Sequence, residues 1–374
     1  MNNEYTSLGL MSGTSGDGVD ASIIQSDGET KYKVIKDVYF EYDKQIYRNI
    51  HHLKEKIYKF SDLENLKEEL KNLERQITLF HANVIKKISE YNKIDIIGFH
   101  GQTIYHNSQK KISNQLGDGK LLSQLVKRDI VYNFRQDDIK NGGEGAPLTP
   151  IFHQLLATQY KLDLPVCILN IGGISNITII SEATGTLGFT SRDIGPGNCL
   201  IDSWVRKNSK QNFDKDGLLA MKGNRNEIIF EQAKELFSNR PKQETLSFDV
   251  NDFDVSFARG LSLEDGTTTL TDFTARIIGQ ALFSLLSNVS NKLWKVLVCG
   301  GGRKNPALID KIKKNTLKNI IIQQVDDYGI DGDFIESQAF AFLAIRSILR
   351  LPISFPKTTG CQYPTIGGKI VKFK

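Results

Sequence analysis

The feature that most constrains this chain is a polar glycine turn between two apolar stretches near its beginning. Residues 7–12 and 18–24 carry apolar residues in a strand pattern, and residues 13–18, the first glycine turn, include three glycines. This arrangement predicts a hairpin. Glycine lets the backbone turn with positive φ and lets a ligand approach closely.

The residues of this turn suit a phosphate group. Backbone N–H groups and hydroxyls can hold phosphate oxygens, and carboxylates suit Mg²⁺ or its waters. The candidate phosphate-binding residues are Gly13, Thr14, Ser15, Gly16, Asp17, Gly18, Val19 and Asp20, with Asp17 and Asp20 as candidate Mg²⁺ ligands through water. Taken alone, the stretch fits an ordinary glycine-rich hairpin equally well.

The same pattern returns in the second half of the chain. Val166–Ile171 is a predicted strand, residues 172–176 form the second glycine turn, and residues 177–180 are a predicted returning strand. Gly172, Gly173 and Ser175 are its candidate phosphate-binding residues. Two α/β halves that begin with the same hairpin predict a duplicated fold with a cleft between the copies.

A third glycine turn, residues 300–302, follows the apolar strand predicted at 295–299. A helix is predicted to begin after it, at Asn305 and Pro306. A Rossmann dinucleotide loop is disfavoured because the G-x-G-x-x-G spacing is missing. A backbone surface for the adenosine of a nucleotide, formed by Gly300, Gly301, Gly302 and Asn305, fits better.

Polar side chains follow three other predicted strands, where open α/β sheets bind ligands. His100 and Gln102 follow residues 95–99 and suit hydrogen bonds to a hydroxylated ligand. Arg135 follows residues 130–134 and suits an anion or carboxylate. Asp193 lies at a strand end beside a Gly-Pro-Gly turn and suits a general base. Three alternatives remain. His100 could form a metal pair with His106, or it could be a structural histidine. Asp193 could be an aspartate that caps its turn.

Two helices are predicted from periodicity. Apolar residues recur every three or four positions from Leu63 to Ile88, which predicts one amphipathic helix with a capping box at its start. Residues 336–349 are rich in alanine and phenylalanine and predict a core-packing helix. Glu336, in the first turn of that helix, is the exception and a candidate site residue.

Length and composition exclude several classes of protein. A chain of 374 residues predicts two domains. No apolar run approaches the roughly 20 residues that span a bilayer, and the first residues lack a secretory signal, so we expect a cytoplasmic protein without a membrane partner. The four cysteines are far apart, which argues against a disulfide framework or zinc site. The net charge of +5 is modest and its lysines are dispersed, so no nucleic-acid partner is expected.

Several motifs in this order resemble the actin/hexokinase/Hsp70-like ATPase superfamily and, more specifically, the anhydro-N-acetylmuramic acid kinases. The resemblance runs nearly from end to end. It is carried by residues 11–20 (Met-Ser-Gly-Thr-Ser-Gly-Asp-Gly-Val-Asp), 100–103 (His-Gly-Gln-Thr), 134–135 and 142–148, 170–176 (Asn-Ile-Gly-Gly-Ile-Ser-Asn), 193–198 (Asp-Ile-Gly-Pro-Gly-Asn), 214–217 (Asp-Lys-Asp-Gly), 299–302 (Cys-Gly-Gly-Gly), and Glu336 with 339–341.

The resemblance implies a duplicated ribonuclease H-like fold of two lobes around an ATP cleft. Residues 1–135 with about 352–374 would form the first lobe, and residues 136–351 the second. It implies ATP and Mg²⁺ as cofactors, a homodimer, and a reaction in which water opens the 1,6-anhydro bridge of 1,6-anhydro-N-acetylmuramic acid while ATP phosphorylates O6. The implied base is Asp193, and the implied sugar-binding residues are His100, Gln102, Arg135, Gly195 and Glu336.

The chain departs from the family pattern in three places. Gly16 stands where the family usually has a bulky residue, and Ile194 where it has threonine. The family's Lys-Ser-Thr-Gly-Arg-Glu loop is replaced by residues 241–248. Two other functions are therefore kept open: a kinase for another anhydro sugar such as levoglucosan, and a non-catalytic actin-like or sugar-sensing protein.

Overall fold

The structure is a computed structural model, and it describes residues 4–89, 92–185, 188–238, 247–286 and 293–373. Its strands are β1 (Tyr5–Ser12), β2 (Gly18–Ser26), β3 (Tyr32–Glu41), β4 (Ile96–Asn107), β5 (Ile112–Leu116), β6 (Ile130–Tyr132), β7 (Val166–Ile171), β8 (Ile174–Ile180), β9 (Phe189–Pro196), β10 (Trp294–Cys299), β11 (Ile320–Gln324) and β12 (Lys369–Val371).

Helices separate and flank these strands. They are α1 (Lys44–Lys56), α2 (Phe60–Asn65), α3 (Lys67–Ile88), α4 (Gly119–Val126), α5 (Gln136–Lys140), α6 (Pro150–Gln159), α7 (Cys199–Asn208), α8 (Leu218–Lys222), α9 (Glu227–Ser238), α10 (Leu263–Leu286), α11 (Pro306–Lys314), α12 (Ile335–Ile348) and α13 (Pro356–Thr359). None of the helices in the described ranges is long and apolar enough to cross a membrane.

The chain divides into two compact units. The first unit comprises Met1–Leu164, Ile180–Ser191 and Asp333–Lys374, and the second comprises Pro165–Ile179 and Arg192–Gly332. These boundaries differ from the predicted lobes, which end at 135 and resume at about 352. Helix α12, which packs on β1, β2 and β4, and helix α6, which packs on α12, belong to the first unit.

The sheet of the first unit has the order β12-β6-β4-β1-β2-β3, with β5 paired to β4. β1, β2 and β3 form an antiparallel meander. β4 and β6 continue the sheet on the other side of β1, in parallel. The predicted opening hairpin is therefore confirmed, and the carboxyl ends of β1, β4 and β6 lie at one edge of the sheet.

The second sheet repeats this plan. Its order is β11-β10-β7-β8-β9, so a hairpin-connected set of three strands is again followed by two strands on the other side of the first. β10 is parallel to both β7 and β11. The same strand order in both sheets confirms the predicted duplicated α/β fold.

Helix α12 packs unusually closely against the first sheet, and two glycines make this possible. Gly9 of β1 and Gly98 of β4 face each other across the two strands. A methyl group at Gly9 would overlap the main-chain oxygen of Ser337, and one at Gly98 would overlap that of Phe340. The helix is nearly fully buried, which confirms the predicted core-packing role.

The helical region before β4 differs from the prediction. Residues 63–88 were expected to form one helix, but α2 and α3 are separated at Leu66, whose φ of −102° and ψ of 14° interrupt the helix. Helix α1 was not predicted, although Asp43 caps it by accepting hydrogen bonds from the N–H groups of Gln45 and Ile46. Ile46, Ile50 and Leu53 of α1 enter the core of the first unit.

The four cysteines, Cys167, Cys199, Cys299 and Cys361, are all buried free thiols. Burial raises the pKa of Cys199 to about 12. These thiols behave as small apolar side chains.

Candidate active site

The first glycine turn is held by a buried hydrogen-bond network that reaches from β4. The Gln102 side chain is fully buried, and its Nε2 donates to the Gly13 main-chain oxygen at 2.9 Å. Its Oε1 lies 2.6 Å from Ser12 Oγ, which accepts a hydrogen bond from the Tyr42 hydroxyl at 3.0 Å. The amide of Gln102 is therefore engaged by the turn, and its predicted place as a sugar contact stays a prediction.

Helix α1 supports the same turn from the outside. Gly16 has a φ of +62°, and a methyl group there would lie 2.8 Å from Ile50 Cγ2. A bulky residue would meet both a left-handed backbone and this isoleucine, which gives a physical reason for glycine at a position where the family usually has bulk. One helical turn further on, Lys54 Nζ donates to the Thr14 main-chain oxygen at 2.8 Å.

The carboxylates of this turn differ in exposure. Asp17 is exposed and its Oδ1 accepts a hydrogen bond from Ser15 Oγ at 2.6 Å, whereas Asp20 is half-buried. The described part of the chain contains no group of three His, Cys, Asp or Glu side chains placed to hold a metal. This donor set fits an Mg²⁺ ion that arrives with phosphates and waters and takes one or two carboxylates.

Val19, another candidate of this stretch, has a fully buried side chain in the core. Its side chain packs with apolar residues, so only its backbone is available to a ligand. Gly18 leaves no room for a side chain, since a methyl group there would lie 2.5 Å from the Phe40 main-chain oxygen.

His100 and Arg135 are brought together, although the predicted strand end at residue 99 is wrong: β4 continues to Asn107, so His100 and Gln102 lie within it. Arg135 Nη2 lies 2.9 Å from His100 Nε2, while His100 Nδ1 lies 2.8 Å from the Gly101 oxygen. Burial, and then the Arg135 charge, lowers the pKa of His100 well below its usual value. The imidazole is therefore neutral, with its proton on Nδ1 and its Nε2 accepting from arginine.

The Arg135 guanidinium is oriented by a second contact. Its Nη1 donates to the Gly145 oxygen at 2.8 Å. Buried Asp138 fixes that loop by accepting from the Gly145 N–H at 2.7 Å and from the Thr359 hydroxyl at 2.6 Å. These contacts fix the loop of residues 141–147 beside Arg135.

His106 has a hydrogen-bond partner in the neighbouring strand β5. Its Nδ1 lies 3.1 Å from the Ser113 hydroxyl, and burial lowers its pKa to about 3. Together with the absence of a metal-binding cluster in the described ranges, this arrangement favours the structural interpretation of His106.

Glu336 stands in the first turn of α12 and is half-buried. Phe340 follows it by four residues, so both lie on the same face of the helix. The Phe340 ring packs against the His100 imidazole with 4.6 Å between ring centroids. Within the first unit, the predicted sugar-binding residues His100, Arg135 and Glu336 are therefore positioned by one packed group of elements.

The second glycine turn is held by main-chain hydrogen bonds. The Gly173 oxygen accepts from the N–H groups of Gly197 and Cys199, and the Gly172 oxygen accepts from that of Asn198. Ser175 is fully buried, and its hydroxyl donates to the Pro196 oxygen at 3.2 Å. Its side chain therefore braces the turn, and its predicted role as a phosphate contact stays a prediction.

Asp193 lies near the end of β9, in the strand that leads into this same turn. It is 8% exposed, and its Oδ2 accepts a hydrogen bond from the Phe248 N–H at 2.7 Å. Gly195 follows it, packed against Ile277 of α10. Of the divergent loop 241–248, only Ser247 and Phe248 lie within the described residues, and the Phe248 N–H is a partner of Asp193.

The third glycine turn packs against the end of β7. A methyl group at Gly300 would overlap the Asn170 side chain, and one at Gly302 would overlap Ile171, whereas Gly301 has open space around it. Arg303, which the sequence analysis missed, is buried and grips Asp326 through Nε at 2.7 Å and Nη2 at 2.9 Å. This hydrogen bond lowers the pKa of Asp326 and fixes the turn.

Asn305 caps helix α11. Its side-chain oxygen accepts from the Leu308 N–H at 3.0 Å, and the residue is 7% exposed. A nucleotide contact by this side chain stays a prediction. The Asp214–Gly217 motif packs beside it, and Asp214 caps α8 by accepting from the N–H groups of Leu219 and Ala220.

Comparison with known proteins identifies the family of this chain. A profile described as "AnmK: Anhydro-N-acetylmuramic acid kinase" matches residues 5–372. A protein of Pelagibacter ubique (strain HTCC1062) named anhydro-N-acetylmuramic acid kinase is 54% identical over 370 residues, 98% of each chain. A protein of the same name from Zymomonas mobilis subsp. mobilis is 36% identical over 377 residues, 97% of this chain and 98% of that one.

A solved structure, the activator of the 2-hydroxyisocaproyl-CoA dehydratase from Clostridium difficile with bound ADPNP, aligns with 92% of this chain and 96% of its own. Its TM-score is 0.43 and its identity 11%, a likeness too distant to support a conclusion. The family profile and the two relatives, by contrast, cover almost the whole chain. The chain belongs to the anhydro-N-acetylmuramic acid kinase family.

Proposed function

We propose that the protein is an ATP-dependent sugar kinase that converts 1,6-anhydro-N-acetylmuramic acid and water into N-acetylmuramic acid 6-phosphate, a step of cell-wall recycling. The observation that carries the proposal is the family match over residues 5–372. The duplicated fold, with a glycine turn at the same position of each sheet, supports nucleotide use.

In the proposed reaction, Asp193 takes a proton from the attacking water. The water oxygen bonds to the anomeric carbon, the bond from that carbon to the bridge oxygen breaks, and the released O6 takes the γ-phosphoryl group, leaving ADP. The Phe248 N–H on Asp193 Oδ2 supports this role because it holds the carboxylate in one orientation. A positioned general base contributes typically 10²–10⁴-fold to a rate.

Binding is divided among the turns and the strand ends. The first glycine turn and the backbones of Gly172 and Gly173 would hold the phosphates, and the third turn the adenosine. Arg135 would bind the lactyl carboxylate, oriented by neutral His100 and by the Gly145 oxygen. Glu336 would accept hydrogen bonds from sugar hydroxyls. Gln102 would act through the turn that it holds.

Mg²⁺ fits this scheme as a partner of ATP held through water by Asp17 and Asp20. When bound, it neutralises charge on the phosphates. Ser15 supports such a role, because its hydroxyl holds Asp17 in place. We further propose a cytoplasmic homodimer, as the family resemblance implies, which light scattering of the purified protein would test.

The test is ADP release measured with 1,6-anhydro-N-acetylmuramic acid, with levoglucosan in a parallel reaction. We expect sugar-dependent ADP release and a 6-phosphorylated, ring-opened product by mass spectrometry. Equal ADP release with and without the sugar, or faster turnover of levoglucosan, would contradict the proposal. Levoglucosan lacks both the lactyl and the N-acetyl group, so the comparison measures what recognition of these two substituents contributes together.

A further inference from the structure

Lys54 is a cation at the first glycine turn that no sequence motif pointed to. It lies in the last turn of helix α1, is half-buried, and donates from Nζ to the Thr14 oxygen at 2.8 Å. Thr14 is at the tip of the turn, forty residues earlier in the chain. The contact therefore places an ammonium group on the part of the turn that the proposed function assigns to phosphate.

The position of this ammonium is set by packing. Ile50 precedes Lys54 by four residues, so the two side chains share one face of α1. Ile50 is fully buried and lies against Gly16. Because Gly16 has no side chain, Ile50 packs directly against the turn. This contact fixes the distance between α1 and the turn. The same contact places the Lys54 side chain next to Thr14.

The charge of the first glycine turn gives the position of the Lys54 ammonium group its significance. Residues 11–20 contain two carboxylates, Asp17 and Asp20, and neither lysine nor arginine. Apart from the Mg²⁺ that would accompany ATP, a polyphosphate bound there would meet only negatively charged side chains from the turn itself. An ammonium group has three N–H donors and can hold a main-chain oxygen while also binding a phosphate oxygen.

We propose that Lys54 binds a phosphate oxygen of ATP in the first glycine turn while keeping its hydrogen bond to Thr14. This rests on the proposed function, since it assumes that the turn binds the nucleotide. The competing explanation is that Lys54 only closes the turn. The two differ in what they predict for ionic strength, because a contact with a charged phosphate is screened by salt and a bond to a neutral carbonyl is not.

The experiment compares Lys54→Met, Lys54→Arg and the control Lys56→Met. Methionine keeps helix propensity and most of the apolar stem. Lys56 is in the same helix but pairs with Glu69 at 3.4 Å. The dissociation constant of Mg·ATP is measured by calorimetry without sugar, at about 50 mM and about 300 mM salt, beside the melting temperature of each ligand-free variant.

We expect Lys54→Met to weaken Mg·ATP binding roughly tenfold at low salt, which is the size of one charge-assisted hydrogen bond. Its salt dependence becomes flatter, Lys54→Arg recovers most of the affinity, and Lys56→Met binds as the wild type does. Equal weakening at both salt concentrations, no recovery by arginine, or wild-type binding by Lys54→Met would overturn the proposal. Failure of the wild-type protein to bind Mg·ATP would instead contradict the proposed function.

Discussion

The first and second glycine turns occupy the same position in two sheets of the same order, yet they are fixed in different ways. The first turn has a main-chain bond from the Tyr42 N–H to the Asp17 oxygen, and it is also held by side chains from other elements, namely Gln102, Tyr42 and Lys54. The second is held mainly by main-chain bonds to the turn at Gly197–Cys199, with the Ser175 hydroxyl as an additional side-chain contact. A duplicated fold therefore preserves the place of a turn without preserving its support.

The two kinds of support also predict different effects of substitutions at the two turns. Because side chains hold the first turn, one substitution can remove one hydrogen bond of its network and so change the affinity of the turn for a ligand. Main-chain support makes the second turn depend on the absence of side chains, and Asp193 stands on the strand that leads into it. We therefore expect changes at the first turn to alter ATP affinity, and changes near the second to alter turnover or stability.

The largest expected effect is that of Asp193→Asn. The amide cannot take a proton from water, so kcat is expected to fall roughly 10²–10⁴-fold while the Mg·ATP dissociation constant changes little. Asp310→Asn, at an exposed position of α11 in the same unit, is the control in the ADP-release assay. A rate close to that of the wild type would remove Asp193 from the proposed mechanism.

Gly197→Ala tests the main-chain support of the second turn. The added methyl group would overlap the Gly172 oxygen, and overpacking of this kind costs about 1–3 kcal/mol. Urea unfolding followed by tryptophan fluorescence measures it, because Trp204 and Trp294 both lie in the second unit. Gly301→Ala, where a methyl group meets no atom within 4 Å, is expected to unfold like the wild type.

Gln102→Leu tests the side-chain support of the first turn. Leucine removes two hydrogen bonds, each worth about 0.5–1.5 kcal/mol, although the Gly13 oxygen keeps the Gly16 N–H and the Ser12 hydroxyl keeps the Gly18 oxygen as partners. We expect a several-fold higher KM for ATP with little change in kcat. Gln45→Leu, at an exposed position of α1, is the control. A lower kcat at unchanged KM for ATP would show that the Gln102 contact serves the chemical step instead.

The smallest expected effect is a change in how the stability of the protein depends on pH in mild acid. All six histidines lie in the first unit: His51, His52, His81, His100, His106 and His153. His81 is fully buried, and its Nε2 has no hydrogen-bond partner within the described ranges. Burial lowers its pKa to about 4 from the ordinary value of 6.5. The stability it contributes is therefore present above pH 6.5 and is lost as the pH falls toward 4.

His81→Phe is expected to reduce the loss of stability by about 1 kcal/mol over the first pH unit below the ordinary pKa of histidine. Urea unfolding followed by circular dichroism, at a neutral and a mildly acidic pH, gives this slope for wild type and variant. Any fixed packing cost of the phenylalanine cancels in the comparison. An unchanged slope would show that His81 does not control the acid response.

The sequence was sufficient to predict the duplicated fold because its signals are local. The alternation around residues 7–24 and its return at 166–180 each lie within one hairpin. Helix α1 was missed, although Asp43 and the spacing of Ile46, Ile50 and Leu53 are the usual signs of a capped amphipathic helix. Because α1 was missed, so was Lys54.

The supporting contacts of the site could not be predicted, because they join distant residues. Gln102 reads as a polar residue at a strand end, and only the pairing of β1 with β4 reveals that it holds Gly13. Ser175 and Asn305 likewise look like ligand contacts, but their side chains brace a turn and cap a helix. Residue type indicates what a group can bind, and tertiary structure decides which partner it has.

The close packing of α12 on Gly9 and Gly98 has a consequence for the synthesis of the protein. β1 leaves the ribosome first, but the helix that covers it follows only after the whole second unit has been made. Until then, the face of the first sheet around these glycines lacks its covering helix. Nascent chains that stall before residue 333 would therefore present an apolar surface to chaperones and proteases, and the second unit would have to fold as an insertion into an unfinished neighbour.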